Sequence, residues 1–400
     1  MRCMNIPVQV SQPSVEKRRG FSLLALGFRP FFLAAAVFAV LLMVIFMLGI
    51  ETGIWHYNYF PLPLWHAHEM LFGFTVAVIA GFLLTAVRNW TGMDTATGYA
   101  LLVLVLLWLG GRVVSAVPGV PEWLIVLIDL AFLPVLALVL AKPILKSKQM
   151  RNLSVPSLLL LMAVGNGLLY AEMLGLSDAV NGLWFSVGAI LMLISLIAGR
   201  VMPFFTGRAI PDAVIKKYPM VEGLALPVIA LWMVMELLFP DRTVSAVAAL
   251  AAALLHAVRL YGWSCRGAWR EPMLWVIHMA YGWLVAGFLL LALAGFGAGS
   301  KLLALHGWTI GAIGMFALGM MARVALGHTG RPVSAHPAVV WAFLLLAASA
   351  LIRVFMPLLF PSVSEVALLI SASGWVLAFA TFVWIYAPYL IQPRADGAEG

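Results

Sequence analysis

Met70-Leu-Phe-Gly-Phe-Thr-Val-Ala-Val-Ile-Ala-Gly-Phe-Leu-Leu-Thr-Ala-Val87 is a run of eighteen residues without a charge. As a helix it would rise about 27 Å, close to the ~30 Å hydrocarbon thickness of a bilayer. The five residues before it, Trp65-His66-Ala67-His68-Glu69, place two imidazoles and a carboxylate at the mouth of the apolar run. Ionisable groups at a membrane span are costly to keep, so this cluster is the first functional candidate. Outward from it the same apolar pattern recurs, predicting spans near 28–50, 67–88, 98–117, 121–140, 155–175, 181–200, 221–239, 243–261, 272–295, 302–324, 336–357 and 365–388. Breakers separate them, among them Pro61 and Pro63, Pro118 to Pro121, Pro211, Pro240 and Arg331-Pro332. The expected fold class is an all-α membrane protein of about twelve transmembrane helices.

Composition agrees. The chain of 400 residues is 64% hydrophobic and 10% charged, where a soluble domain carries about 25% charged residues. The net charge of +8 lies in short loops and implies no nucleic-acid partner. Cys3 and Cys265 are the two cysteines and cannot form a CxxCH haem attachment, so any haem is held non-covalently, as a b-type group. Basic residues sort to alternate loops: Lys17 to Arg19, Lys142 to Arg151, Arg208 to Lys217, Arg266 with Arg270, and Arg331. Glu51, Glu122, Asp178, Asp241 and Glu365 occupy the others. The positive-inside rule then puts both termini in the cytoplasm. A tail over 1–27, one membrane domain over 28–388 and a second tail over 389–400 follow.

An internal repeat is legible. The sixth span ends Arg200-Val-Met-Pro-Phe-Phe-Thr206-Gly207-Arg208 and the tenth Arg323-Val-Ala-Leu-Gly-His-Thr329-Gly330-Arg331. The second ends more loosely, in Arg88-Asn-Trp-Thr91-Gly92. Counting back 18 residues from each threonine gives Gly73, Gly188 and Gly311, and counting back 23 gives His68, Leu183 and His306. Spans two, six and ten therefore read as equivalent members of three four-helix units. The plainer reading is convergence on a common helix terminator.

If the repeat holds, His68 and His306 share a depth, as a bis-histidine haem requires with about 4 Å between ligand nitrogens. His66 is two residues from His68 and points elsewhere in a regular helix, though a frayed start after Pro63 would let both converge. His256 and His278, on an antiparallel hairpin, are a second pair for copper or another haem, with His328 as an additional metal ligand. Each of these is also explicable as an interfacial or packing histidine. Arg112 and Arg353 lie within apolar spans near the outer face and suit haem propionates. Alternatively they pair with the membrane acids Glu69, Asp129, Glu172 and Glu236. Twelve helices with a repeat also suit a transporter or metal-handling protein working by alternating access.

Six stretches resemble the NnrS family: Leu26-Gly-Phe-Arg-Pro-Phe-Phe32, Leu64-Trp-His-Ala-His-Glu-Met-Leu-Phe-Gly-Phe74, Ala80-Gly-Phe-Leu-Leu-Thr-Ala86, Asn89-Trp-Thr-Gly92, Gly199-Arg-Val-Met-Pro-Phe-Phe-Thr206 and Arg323 to Arg331. The resemblance implies a bacterial inner-membrane protein containing haem and copper, associated with nitric oxide metabolism and protection from nitrosative stress. Nitric oxide is then the expected small-molecule partner, with a quinol or redox protein as electron donor, and an NO-converting oxidoreductase activity is open. The architecture is more distantly similar to the catalytic subunits of haem–copper oxidases and nitric oxide reductases, in which helices two and ten hold a haem. The sixth span here carries no histidine, unlike that pattern.

Overall fold

The computed structural model describes residues 22–55, 60–171, 176, 179–240 and 242–398. Within them lie eleven helices long and apolar enough to cross a membrane, and a twelfth, shorter one. In chain order these are α1 Phe28–Thr52, α2 Leu62–Thr91, α3 Gly98–Val114 (the short one), α4 Glu122–Lys146, α5 Met150–Ala171 and α6 Ala179–Ala209. They continue as α7 Pro219–Leu238, α8 Thr243–Trp263, α9 Pro272–Gly295, α10 Lys301–His328, α11 Pro337–Leu359 and α12 Pro361–Ile391. Every expected span is present, and the protein is a multi-pass membrane protein. His56, Glu172, Asp178, Asp241 and the basic tail at Lys17 to Arg19 lie outside the described residues.

Sequential helices pack side by side and α12 returns to α1. α2 and α10 are the central helices: 89% of the most apolar window of each is buried, against 44% for α1 and 28% for α7. The return is fastened by Arg29, which is fully buried. Its Nη1 donates to the carbonyls of Leu390 (2.9 Å) and Gln392 (2.7 Å) at the end of α12. A cation there meets the negative end of the helix dipole. The segment after α12 folds back on α10, with Ala395 N–H on the Thr329 carbonyl at 2.9 Å and Arg394 on that of His328 at 3.1 Å.

Prolines start helices here as well as separating them. Pro63, Pro219, Pro272 and Pro337 all lie in a first turn, where a missing N–H costs no intrahelical bond. At α11 the ring of His336 accepts from Ala338 N–H at 3.2 Å, so this histidine is a helix cap. At α2 the consequence is larger. The helix begins at Leu62 rather than near 67, so His66 and His68 lie inside regular helix and do not converge.

The repeat is expressed in α2 and α10. Thr91 and Thr329 each donate to the carbonyl four residues back, at 2.7 and 2.6 Å, and Gly92 and Gly330 then take φ of +67° and +71°. Each helix also carries a π-helical segment beginning right after the counted histidine: Glu69–Thr75 after His68, and Gly307–Gly314 after His306. α6 departs. It runs α-helical through Thr206 and Gly207, and the buried Thr206 hydroxyl has no hydrogen-bond partner among the described residues. Threefold equivalence is thus reduced to two matching helices and one divergent one.

Candidate functional site

A π turn leaves backbone carbonyls out of the α-helical ladder, and those of α2 are taken up by side chains. Thr75 Oγ1 donates to Met70 O (2.7 Å), Arg112 Nη1 to Phe72 O (2.9 Å) and Trp108 Nε1 to Gly73 O (3.0 Å). The short helix α3 therefore holds the π segment in place. Arg112 also ion-pairs with Glu69 at 2.7 Å and with Asp129 of α4.

The same carboxylates face His68. Its Nδ1 lies 3.1 Å from Glu69 Oε1, and its Nε2 lies 3.2 Å from Asp129 Oδ2 and 3.0 Å from Asn166 Oδ1. Asn166 Nδ2 (2.8 Å) and the Tyr170 hydroxyl (3.1 Å) donate to Asp129. All six side chains are buried. Both ring nitrogens of His68 meet side-chain oxygens, an arrangement that an imidazolium between two carboxylates satisfies in full. Two carboxylates are then balanced by a guanidinium and an imidazolium, as a buried charge cluster requires. Two glycines make the approach possible: a Cβ at Gly111 would lie 2.7 Å from Asp129 Oδ1, and one at Gly73 would lie 2.7 Å from Glu69 Oε2.

His66 points the other way. Residues two apart on an α-helix are turned about 200° from each other, so His66 faces a cavity of about 420 Å³ at the outer end of α2 and α10. The cavity has walls from α1, α2, α6, α10, α11 and α12. Among the described residues its titratable lining side chains are His66, His306 and Arg353, with no carboxylate. His66 stacks on Phe46 with ring centroids 4.0 Å apart, and its Nδ1 has no hydrogen-bond partner among the described residues. His306 Nδ1 donates to Leu302 O at 2.8 Å, which leaves the lone pair on Nε2. Metal-ligating histidines commonly hold their second nitrogen in this way, although His278 makes the same i−4 contact, with Leu274 O. The buried Nε of Arg353 likewise has no partner among the described residues.

These placements change several expectations. His68 and His306 are not brought into one space: His66 and His306 line the same cavity, while His68 is enclosed by Glu69, Asp129 and Asn166, because equal depth does not fix which face of a helix is presented. Arg112 is withdrawn as a propionate partner, since its guanidinium is occupied by Glu69 and Asp129, the alternative the acids had offered. Arg353 remains in the cavity.

The inner pair has no shared site either. His256 Nδ1 meets the Tyr281 hydroxyl at 2.7 Å. Tyr281 in turn accepts from Arg259 (3.0 Å), which is bound to Glu222 (2.6 Å) and Ser195 (2.9 Å). His278 Nδ1 donates to Leu274 O at 2.9 Å, and His328 packs on Phe28 at 5.7 Å. Among the described residues no three His, Cys, Asp or Glu side chains converge on a metal position, so a three-imidazole copper site from His256, His278 and His328 is not assembled. Asn166 and Tyr170 were missed from the sequence; their i, i+4 spacing on one polar stripe of an apolar helix was the available signal.

No curated protein matches the chain. The NnrS protein family does, over residues 22–394. A match across nearly the whole chain, with the central helices α2 and α10 inside it, makes this protein a member of the NnrS family.

Proposed function

We propose that the outer cavity is a non-covalent haem site in which His66 and His306 supply the ligand nitrogens and Arg353 takes a propionate. On this reading the protein acts in nitric oxide metabolism in the bacterial inner membrane, with electrons from a quinol or a redox protein. Family membership supports the metabolic role. The observation that carries the site is the cavity itself: among the described residues, two imidazoles and a guanidinium whose Nε has no hydrogen-bond partner, in an apolar space without a carboxylate. The fit is chemical as well as spatial. The volume lies in the ~300–1,000 Å³ range of small-molecule sites, and the donor set matches an iron macrocycle with an anionic edge.

When bound, such a group supplies an iron able to bind nitric oxide and exchange electrons. The chain's own residues do the rest. Leu302 O sets the tautomer of His306, Phe46 fixes the ring plane of His66, and the leucine, methionine and tryptophan walls exclude water. Behind the cavity, the charge cluster on Glu69 and Asp129 locks the π segment and so the direction in which His66 points. Copper held by the same two imidazoles is the rival occupant.

The test is a reduced-minus-oxidised spectrum of the purified protein, with and without nitric oxide, together with metal analysis. A low-spin haem signal is expected, lost in His66→Ala and His306→Ala. A signal unchanged by both substitutions refutes the assignment, and copper without haem favours the rival. A second reading, transport by alternating access, is favoured by the matched π interruptions of α2 and α10, which resemble the broken helices of transporters. Substrate uptake into proteoliposomes by protein without a chromophore would support it.

A further inference from the structure

Below the outer cavity, toward the inner side, lies a second and smaller space of about 60 Å³. Its walls come from the three helices that the repeat groups together: Thr75 and Val78 of α2, Ile194 of α6, and Ile313, Phe316 and Ala317 of α10, with others of the same kind. Thr75 follows Leu71 of the outer cavity by one turn, so the two spaces are separated by roughly 5 Å along the helix. Both π segments run beside this separation, since Glu69–Thr75 and Gly307–Gly314 each contribute residues to both cavities.

The lining decides what can enter. Thr75 is its sole polar residue, and that hydroxyl is donated to Met70 O. A buried water needs two to four polar partners, so the space is dry although it exceeds the ~10–15 Å³ that a water occupies. An ion or a strongly dipolar molecule would lose its hydration without compensation. The volume of about 60 Å³ suits a molecule of two or three atoms.

We infer that this axial cavity is a holding site for a small uncharged gas molecule, next to the outer cavity and separated from it by the two π segments. That a gas-sized site exists follows from the lining and the volume alone. Its service to a reactive centre rests on the haem reading above, and nitric oxide is the occupant that reading supplies. The gas would then partition from the bilayer into the axial site and reach His66 and His306 without crossing a polar barrier.

Xenon tests the site directly. Purified protein in nanodiscs is titrated with dissolved xenon, and the xenon-129 shift is followed. Wild type should show a saturable component. Ala317→Leu, which places three further carbon atoms in the space, should abolish it, and Ile194→Phe from the opposite wall serves if the first variant does not fold. No saturable component in wild type, or one unaffected by a folded filling variant, overturns the inference. Haem content is read on the same samples. Xenon binding without haem refutes the haem reading and leaves the gas site standing, whereas haem without xenon binding does the reverse. Where both are present, nitric oxide rebinding after photolysis should slow in the filled variant, and an unchanged rate would overturn the role of the site in delivery.

Discussion

Arg112→Met should be among the most damaging single substitutions in the chain, and its damage should be largely reversible by a second one. Arg112 is bound to Glu69 at 2.7 Å, to Asp129 and to the Phe72 carbonyl at 2.9 Å. Charged hydrogen bonds, here those to Asp129 and to Phe72 O, contribute about 1.5–3 kcal/mol each, but they and the ion pair with Glu69 share one guanidinium and do not add. Removing one partner of a buried ion pair costs about 3–5 kcal/mol, because the other charges are left uncompensated. That is the expected loss for Arg112→Met, and for Asp129→Leu alone. In the double variant Arg112→Met/Asp129→Leu the buried charges remaining are Glu69 and the His68 imidazolium, 3.1 Å apart and neutral together. Its loss should be about 1–2 kcal/mol, a coupling of several kcal/mol between the two sites. Reversible SDS unfolding followed by tryptophan fluorescence measures all three, since the chain has 15 tryptophans. Haem content should follow the same order, falling in each single variant and recovering in the double. If the two single losses simply add, the cluster is not held by charge balance and the protonation inferred for His68 is wrong.

Other expectations follow from the same geometry. His68→Ala should destabilise the protein while keeping haem ligation, whereas His66→Ala should remove the spectrum with little loss of stability; the opposite pattern would restore the pairing by depth. Arg353→Leu removes the one cation of the outer cavity and should weaken binding of an anionic macrocycle by roughly 10- to 100-fold, read by haem titration of the apoprotein; equal affinity would free Arg353 from that role. Gly111→Ala pushes a methyl group against Asp129 and should cost about 1–3 kcal/mol in the same SDS assay, because α3 and α4 must separate where small residues let them meet. A neutral result would mean that α3 shifts freely.

Number and order of helices were legible because a span announces itself over some 20 residues, and the breakers between spans are unambiguous. Azimuth was not. Whether His66 or His68 looks into the bundle depends on where α2 begins, and Pro61 and Pro63 read as the end of a loop when they open the helix. The depth argument placed both imidazoles in one layer but paired His68, not His66, with His306, since a threonine-anchored count carries no information on which face points to the cavity. The repeat was half visible for a related reason. A Thr-Gly pair terminates α2 and α10, but in α6 the helix continues past it, and nothing local in Phe204 to Arg208 distinguishes the cases. The acids Glu69 and Asp129 were recognised as partners for a buried arginine. What remained hidden was that they also enclose His68, because that contact joins α2, α4 and α5.

The π turn in α2 also has a genetic meaning. It accommodates one residue more than an α-helix would over the same stretch, so loss of a single codon anywhere in Glu69–Thr75 would let the stretch close into regular helix. Hydropathy, span length and loop charges would hardly change, and topology would read as intact. Because the π turn absorbs the extra residue, Leu62 to His68 would keep nearly their present azimuth, and the loss would fall on the carbonyls of Phe72 and Gly73, which Arg112 and Trp108 now hold. Such an allele would insert normally and resemble its parent in any alignment apart from a one-residue gap, yet the grip of α3 on α2 through Arg112 and Trp108 would be loosened.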